Sequence, residues 1–172
     1  MVDPNCRPTV LGDPAGADAE HYRTRLGQVL QRADVVKVSA DDLVYLAPGV
    51  APDVAAAELL AEPGGPGPVV VLLTDGGAAM RVITRDGERR LLVPRVRVVD
   101  SVGAGDSFGG GFLAAWRHAG LGRSDLANID LVVVAAKFGI EVAGITVQRA
   151  GANPPYLAEV SSPLPSRTTV SG

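Results

Sequence analysis

The chain reads VVDSVGAGDSFGGGF from Val98 to Phe112, and this stretch decides the fold more than any other part of the sequence. Its β-branched start predicts a strand that delivers Asp100. A glycine-rich loop over 103–111 follows, and apolar residues from Phe108 onward have the spacing of one helix face. We therefore expect a strand, a tight turn and a helix whose first turn carries Asp106.

A strand, a glycine turn and a helix N-terminus together make an anion site, because backbone amides without partners point outward and the helix dipole favours negative charge. Phosphate oxygens would bind the amides of Ala104, Gly105 and Asp106. The Asp106 carboxylate, held ionised by the helix, would face an acceptor hydroxyl and remove its proton. The alternative is structural, with the glycines forming a turn and Asp106 only capping the helix.

Two other phosphate-binding motifs fail on spacing. A dinucleotide fingerprint that begins at Gly103 requires Gly or Ala where the chain has Phe108, and no Gly-Lys-Ser/Thr is present for a P-loop. The stretch therefore predicts neither of these nucleotide sites.

Outward from this stretch, short β-branched runs alternate with helical periodicity, which predicts an α/β domain with a mainly parallel sheet. Ser39 and Asp42 form a capping pair at the start of a short helix. The sequence predicts helices over 17–31, 39–47, 52–60 and from Ser124 to about Val142, strands over 35–38, 69–73, 79–84, 89–93 and 144–147, and a disordered tail over 161–172.

The composition limits the range of partners. The 172 residues are 47% hydrophobic and carry a formal net charge of −3, which gives no electrostatic surface for nucleic acid or an anionic membrane. No apolar run is long enough to span a bilayer. Cys6 is the single cysteine, so no internal disulfide forms, and we expect a soluble cytoplasmic protein.

From Asp100 to Phe112 the chain resembles the C-terminal signature of the ribokinase-like (PfkB) carbohydrate kinases, Asp-Thr-x-Gly-Ala-Gly-Asp, then Ser/Thr-Phe, small residues and Phe. Ser101 replaces the usual Thr and keeps the hydroxyl. Three further segments resemble fructokinase-like members in the family's order and extend the resemblance over residues 2 to 160: Asp3-Pro-Asn-Cys-Arg7, 33–43 and 149–155.

The resemblance implies a partial ribokinase-like three-layer sandwich of the α/β class, with a mainly parallel central sheet and an edge β-meander. Residues 1–160 would be its C-terminal, nucleotide-binding and catalytic part, without the N-terminal strands and lid. Loss of those strands would expose an apolar sheet edge. We therefore expect weak stability or association through that edge, the latter as a homo-oligomer or with a complementing N-terminal half.

The resemblance also assigns site residues. Asp106 would be the catalytic base. Gly103, Ala104 and Gly105 would form the anion hole. Asp100, with the backbone near Val102 and Gly151, would hold a monovalent cation. Asp42 stands where the family has a longer Glu and would act on Mg²⁺ through water, with simple capping as the alternative.

For nucleotide binding, the resemblance points to Gly76 and Gly77, in a loop that keeps only part of the family pattern, and to Gly139, Ala143 and Gly144 near adenine. Small residues in helices also serve close packing. For the substrate it points to Asp3, Asn5 and Arg7, although Asp-Pro-Asn is also an ordinary turn signal.

The expected function is ATP-dependent transfer of the γ-phosphoryl group to a sugar hydroxyl by a fructokinase-like kinase, with ATP, Mg²⁺ and in many members K⁺. The expected partners are therefore a small sugar and ATP. The alternative is a non-catalytic nucleotide-binding module or an inactive kinase fragment.

Overall fold

The structure is a computed structural model that describes residues 1–7, 11–13 and 15–166. The chain divides into two compact units, Met1–Arg90 and Leu91–Gly172. Among the described residues, no helix is both long enough and apolar enough to cross a membrane.

The first unit is built on a four-stranded sheet in the order β1-β2-β3-β4. β1 and β2 are parallel, and β2 and β3 are antiparallel. On its other side β1 forms a single parallel bridge with Val2. The strands are β1 Val35–Ser39, β2 Val70–Asp75, β3 Ala79–Thr84 and β4 Gly87–Leu91, and the helices are α1 Ala17–Leu30, α2 Ala40–Leu46 and α3 Pro52–Glu58.

One hydrophobic cluster of this unit lies on one face of the sheet. Strand side chains alternate between faces, so Val36 and Val38 of β1 lie beside Val71 and Leu73 of β2. Leu43 of α2 is among the helix residues packed against them. Each such buried side chain stabilises the fold by about 1.5–3 kcal/mol relative to its exposed state. The predicted α/β class with a β-meander is confirmed, and the described sheet is mixed, with the β1–β2 pair parallel and the β2–β3 pair antiparallel.

The second unit is a helix pair, α4 Ala104–His118 and α5 Ile129–Thr146. Glycines let the two helices approach closely: a Cβ on Gly139 would lie 2.7 Å from the Phe108 carbonyl oxygen. Phe108, Phe112 and Trp116 stack along α4, with successive ring centroids 6.4 and 5.9 Å apart. The helix begins at Ala104, so Asp106 lies in its first turn as predicted, and the glycine-rich residues 109–111 are helical.

The helix predicted from Ser124 begins later, at Ile129. A 3₁₀ turn occupies Arg123–Ala127, and the Asn128 side chain accepts the Asp130 amide as the helix cap. The same helix continues through most of the strand predicted over 144–147. Thr146 is fully buried there and its hydroxyl donates to the Val142 carbonyl, so helical packing overrides the β-branched sequence.

The strand predicted to deliver Asp100 is also absent. The amides of Val99 and Asp100 both donate to the Val147 carbonyl at the end of α5, at 2.8 and 3.2 Å. Within the described residues no neighbouring strand pairs with this segment, so it is not part of a sheet. The backbone before Asp100 is therefore held by the end of α5 and not by a neighbouring strand.

The segment predicted as a disordered tail begins with residues that contact α5. The amides of Ser161 and Ser162 donate to the Glu141 carboxylate at 2.8 and 3.1 Å, which ties this segment to α5. Burial raises the pKa of Glu141, but hydrogen bonds from Ser162 and Ser161 outweigh it and leave that pKa below its ordinary value. Residues 167–172 of that prediction lie outside the described residues.

Candidate active site

The first turn of α4 presents an exposed carboxylate beside open amides. Asp106 is the third helical residue, and within the described residues its carboxylate has no hydrogen-bond or ion-pair partner. The Ser107 amide makes the first bond of the helix, to the Gly103 carbonyl at 2.8 Å. The amides of Gly105 and Asp106 precede it and donate to no acceptor in the described residues, whereas Ala104 donates to Ser101 at 3.2 Å.

This arrangement has the chemistry of an anion site with a base next to it. Open amides at a helix N-terminus stabilise oxyanions, and the Asp106 carboxylate lies in the same turn. The predicted amide set therefore consists of two open amides, from Gly105 and Asp106, and one from Ala104 that is already engaged.

Gly103 shapes the turn before α4. Its φ of +77° is left-handed, and a Cβ there would lie 2.7 Å from the Ala152 Cβ. Only glycine meets both conditions without strain. The turn is thereby packed directly against the loop that follows α5.

Asp100 ties the same two segments together. Its carboxylate accepts the amides of Val102 and Gly151, both at 2.9 Å. These two hydrogen bonds, in that order, hold the pKa of Asp100 below its ordinary value. The three residues predicted for a monovalent-cation site are thus brought together.

Asp42 lies in the first unit and is 4% exposed. One carboxylate oxygen accepts the Ser39 amide and hydroxyl at 2.8 and 2.6 Å, and the other accepts the Cys6 amide at 2.6 Å. The Asp42 amide donates in turn to the Ser39 hydroxyl, which completes the predicted capping box.

This carboxylate does not fit a direct magnesium ligand, since it is buried and holds three donors. Within the described residues no group of three His, Cys, Asp or Glu side chains could hold a metal ion. The magnesium role of Asp42 stays a prediction, and the capping role is confirmed.

The segment after Val2 is held by a second carboxylate. Asp3 accepts the Asn5 amide at 3.0 Å with one oxygen and forms a 2.8 Å ion pair with Lys37 through the other. Asn5 and Arg7 are exposed, and their side chains have no partner in the described residues. Of the three predicted substrate residues, Asp3 is therefore engaged by the protein, whereas Asn5 and Arg7 face solvent.

The residues predicted to contact the nucleotide are divided between the two units. Gly76 and Gly77 lie exposed in the turn between β2 and β3, in the first unit. Gly139 is buried against Phe108 in the second unit, as close helix packing requires. Ala143 and Gly144 are half-buried one turn further along α5.

The sequence analysis did not single out two residues that contact Asp3 and Asp42. Lys37 is 7% exposed in the middle of β1, and Cys6 is buried with its amide on Asp42. A lysine inside the apolar run VVKVS was a visible signal, because buried lysines need a partner. For Cys6 there was no such signal.

The fold and the site define an α/β protein in which open backbone amides at a helix N-terminus lie beside a carboxylate. The sequence profile described as pfkB family carbohydrate kinase matches residues 4–159. The chain belongs to this family. Its membership confirms the resemblance seen in the glycine-rich signature.

Among curated relatives, the chain is 33% identical over 132 residues to a fructokinase of Rhizobium leguminosarum bv. trifolii, covering 75% of this chain and 37% of the relative. Two solved structures share the fold over 87% of this chain and 46% of theirs. They are an aminoimidazole riboside kinase from Salmonella enterica complexed with aminoimidazole riboside and an ATP analog (TM-score 0.71, 27% identity) and a fructokinase from Xylella fastidiosa with bound ATP (TM-score 0.70, 30% identity). The chain thus spans less than half the length of each.

Proposed function

We propose that this chain supplies the ATP-binding and catalytic part of a fructokinase-like sugar kinase, which transfers the γ-phosphoryl group of ATP to a sugar hydroxyl. The observation that carries the proposal is the exposed carboxylate of Asp106, which has no partner in the described part of the chain, beside the open amides of Gly105 and Asp106. Family membership over residues 4–159 supports the same chemistry.

In the proposed reaction Asp106 accepts the proton of the sugar hydroxyl as its oxygen attacks the γ-phosphorus. A sugar O–P bond forms, the bond to the β-phosphate oxygen breaks, and ADP leaves. The open amides donate to the phosphoryl oxygens, where negative charge increases in the transition state. In other enzymes the loss of one such donor costs on the order of 10²- to 10³-fold in rate.

Two cations belong to the proposal. Mg²⁺ would accompany ATP and neutralise phosphate charge, and no step is assigned to it through Asp42. A monovalent cation such as K⁺ fits the Asp100 turn, where a carboxylate lies among the backbone segments of Val102 and Gly151. There it would stiffen the loop packed against Gly103.

The proposal also names the substrates, the cellular compartment and the chain that would complete the site. The substrates are a small sugar and ATP, and the proposed compartment is the cytoplasm. Because the chain covers 37–46% of the relatives and solved structures compared above, a complementing polypeptide or a second copy would complete the acceptor pocket. Gly76, Gly77, Ala143 and Gly144 remain the proposed nucleotide contacts.

The same coverage favours a second candidate, a nucleotide-binding module or kinase fragment without turnover. We would measure ADP release with Mg·ATP and a panel of fructose, ribose, 2-keto-3-deoxygluconate and aminoimidazole riboside, and nucleotide binding in parallel. Sugar-dependent ADP release supports the kinase, whereas nucleotide binding without ADP release for any sugar supports the second candidate.

A matched pair of variants assigns the base. Asp106→Asn removes the proton acceptor, and Asp18→Asn makes the same change in the first turn of α1, where no function is proposed. We expect turnover to fall by about 10²- to 10⁴-fold in the first variant and to stay unchanged in the second.

A further inference from the structure

The turn from Asp3 to Arg7 is held in an unusual backbone conformation. Asn5 has a φ of +45°, the one positive φ outside glycine among the described residues. Asparagine tolerates this region better than most residues, but the conformation still requires the surroundings to fix it. Such positions mark segments whose shape matters to the protein.

Two carboxylates fix this turn from opposite sides. Asp3 accepts the Asn5 amide at 3.0 Å, and Asp42 accepts the Cys6 amide at 2.6 Å. Asp42 belongs to the capping box of α2 and is anchored by Ser39. Asp3 lies instead on the short segment that bridges β1 only at Val2, so its position depends on a separate anchor.

Lys37 anchors this segment through two separate contacts. Its backbone amide donates to the Val2 carbonyl at 2.9 Å, and its ammonium group forms the 2.8 Å ion pair with Asp3. Its side chain projects from the face of β1 opposite to Val36 and Val38 and is 8% exposed. An apolar residue would pack in such a strand without the cost of burying a charge, so this ion pair serves position more than stability.

What the turn presents is a pair of free polar side chains. Asn5 and Arg7 are exposed and unpartnered within the described residues. Groups that bind substrate work best when supporting contacts hold them in place beforehand. We propose that Lys37 is a positioning residue, which acts through Asp3 to hold the Asn5–Arg7 turn in the conformation that meets substrate.

The involvement of substrate rests on the proposed function, whereas the hold of Lys37 on the turn does not. The first readout is therefore hydrogen exchange of single amides in the full chain. In Lys37→Met we expect the Asn5 amide to exchange about tenfold faster or more, because the loss of a charge-assisted bond frees Asp3. The Cys6 amide, held by Asp42, and the Val71 amide of the sheet should not change.

Three variants control this measurement. Lys37→Arg keeps the charge and should restore slow exchange at Asn5. Asp3→Asn removes the negative charge of the ion pair but keeps a side-chain oxygen that can accept the Asn5 amide, so it should reproduce the effect even if Lys37→Met does not fold. Arg85→Met removes an exposed ion pair with Glu62 elsewhere in the same unit and should leave the Asn5 amide unaffected.

The second readout is the dissociation constant for Mg·ATP and for fructose. We expect Lys37→Met to weaken at least one of them about tenfold, with recovery in Lys37→Arg. Unchanged exchange at Asn5 in Lys37→Met and Asp3→Asn would overturn the proposal, as would equal acceleration at Val71 or unchanged binding despite faster exchange. If the wild-type chain binds neither probe, the proposed function fails, and Asn5 exchange alone decides whether Lys37 holds the turn.

Discussion

Substitution of Gly103 by Ala tests whether the turn before α4 is built as described. A Cβ at this position meets two separate penalties. The left-handed φ of +77° costs roughly 1–2 kcal/mol for a residue with a side chain. The Cβ would also lie 2.7 Å from the Ala152 Cβ and 3.1 Å from its Cα. Such overpacking costs a further amount of about 1–3 kcal/mol.

Two other glycines separate these penalties. Gly151 has a φ of +70° but open space around a Cβ, so Gly151→Ala should cost only the backbone term of about 1–2 kcal/mol. Gly110 is helical and also open, so Gly110→Ala should stabilise the chain by about 0.5–1 kcal/mol. Gly103→Ala should lose about 2–5 kcal/mol in all.

The assay is equilibrium urea unfolding followed by the fluorescence of Trp116, which is buried on α4 and is the single tryptophan of the chain. The expected order of stability is Gly110→Ala, wild type, Gly151→Ala, Gly103→Ala. If Gly103→Ala is no less stable than Gly151→Ala, the close packing of Ala152 on the turn is wrong.

Other predictions follow from the helix pair, the Asp100 turn and the buried thiol. Gly139→Ala should destabilise the chain by about 2–4 kcal/mol in the same unfolding assay, because its Cβ would clash with the Phe108 carbonyl oxygen and ring. Gly144→Ala places a Cβ in open space and should not destabilise the chain. Equal effects of the two substitutions would contradict the close packing of Gly139 on Phe108. Because hydrogen bonds from Val102 and Gly151 lower the pKa of Asp100, their stabilisation is fully present above the ordinary value of 3.8 and is lost as pH falls through the lower folded value. Exchange at the Gly151 amide should accelerate over that acidic range in wild type, and Asp100→Asn should abolish the pH dependence. Burial raises the pKa of Cys6 from 9.0 to about 11, so about one thiol in a thousand is ionised at pH 8, and iodoacetamide should react at least about a hundredfold more slowly than with a free cysteine. Reaction at the free rate before urea is added would refute this burial.

Local signals predicted much of the fold. The capping pair Ser39 and Asp42 and the proline at the start of α3 gave helix starts that the structure confirms. The two glycine turns at 76–77 and 86–87 gave the meander. These signals act within a few residues, so they can be read from the sequence without the rest of the molecule.

The errors arose where distant packing decides. The β-branched residues Ile145, Thr146 and Val147 favour a strand, but the first two complete α5 and the Val147 carbonyl accepts the amides of Val99 and Asp100. Both strands that were predicted here are therefore absent, because one segment is helical and the other is hydrogen-bonded to the end of that helix. Local propensity does not encode which segment lies beside another.

For the candidate site, the sequence placed Asp106 correctly in the first turn of a helix and grouped Asp100 with Val102 and Gly151. It did not predict that Asp3 is engaged by Lys37, since their contact spans 34 positions in the chain. Nor did it predict that the Asp42 carboxylate is filled by donors that include the Cys6 amide. Which polar groups remain open to a ligand depends on such long-range hydrogen bonds.

The central claim is that Asp106 removes the proton of a sugar hydroxyl during phosphoryl transfer. The most direct measurement is the single-turnover rate of sugar phosphate formation from Mg·ATP by the wild-type chain, Asp106→Asn and Asp18→Asn, with nucleotide affinity measured for each. We expect the single-turnover rate to fall by about 10²- to 10⁴-fold in Asp106→Asn alone, while its nucleotide affinity stays unchanged. Equal rates in wild type and Asp106→Asn would contradict it.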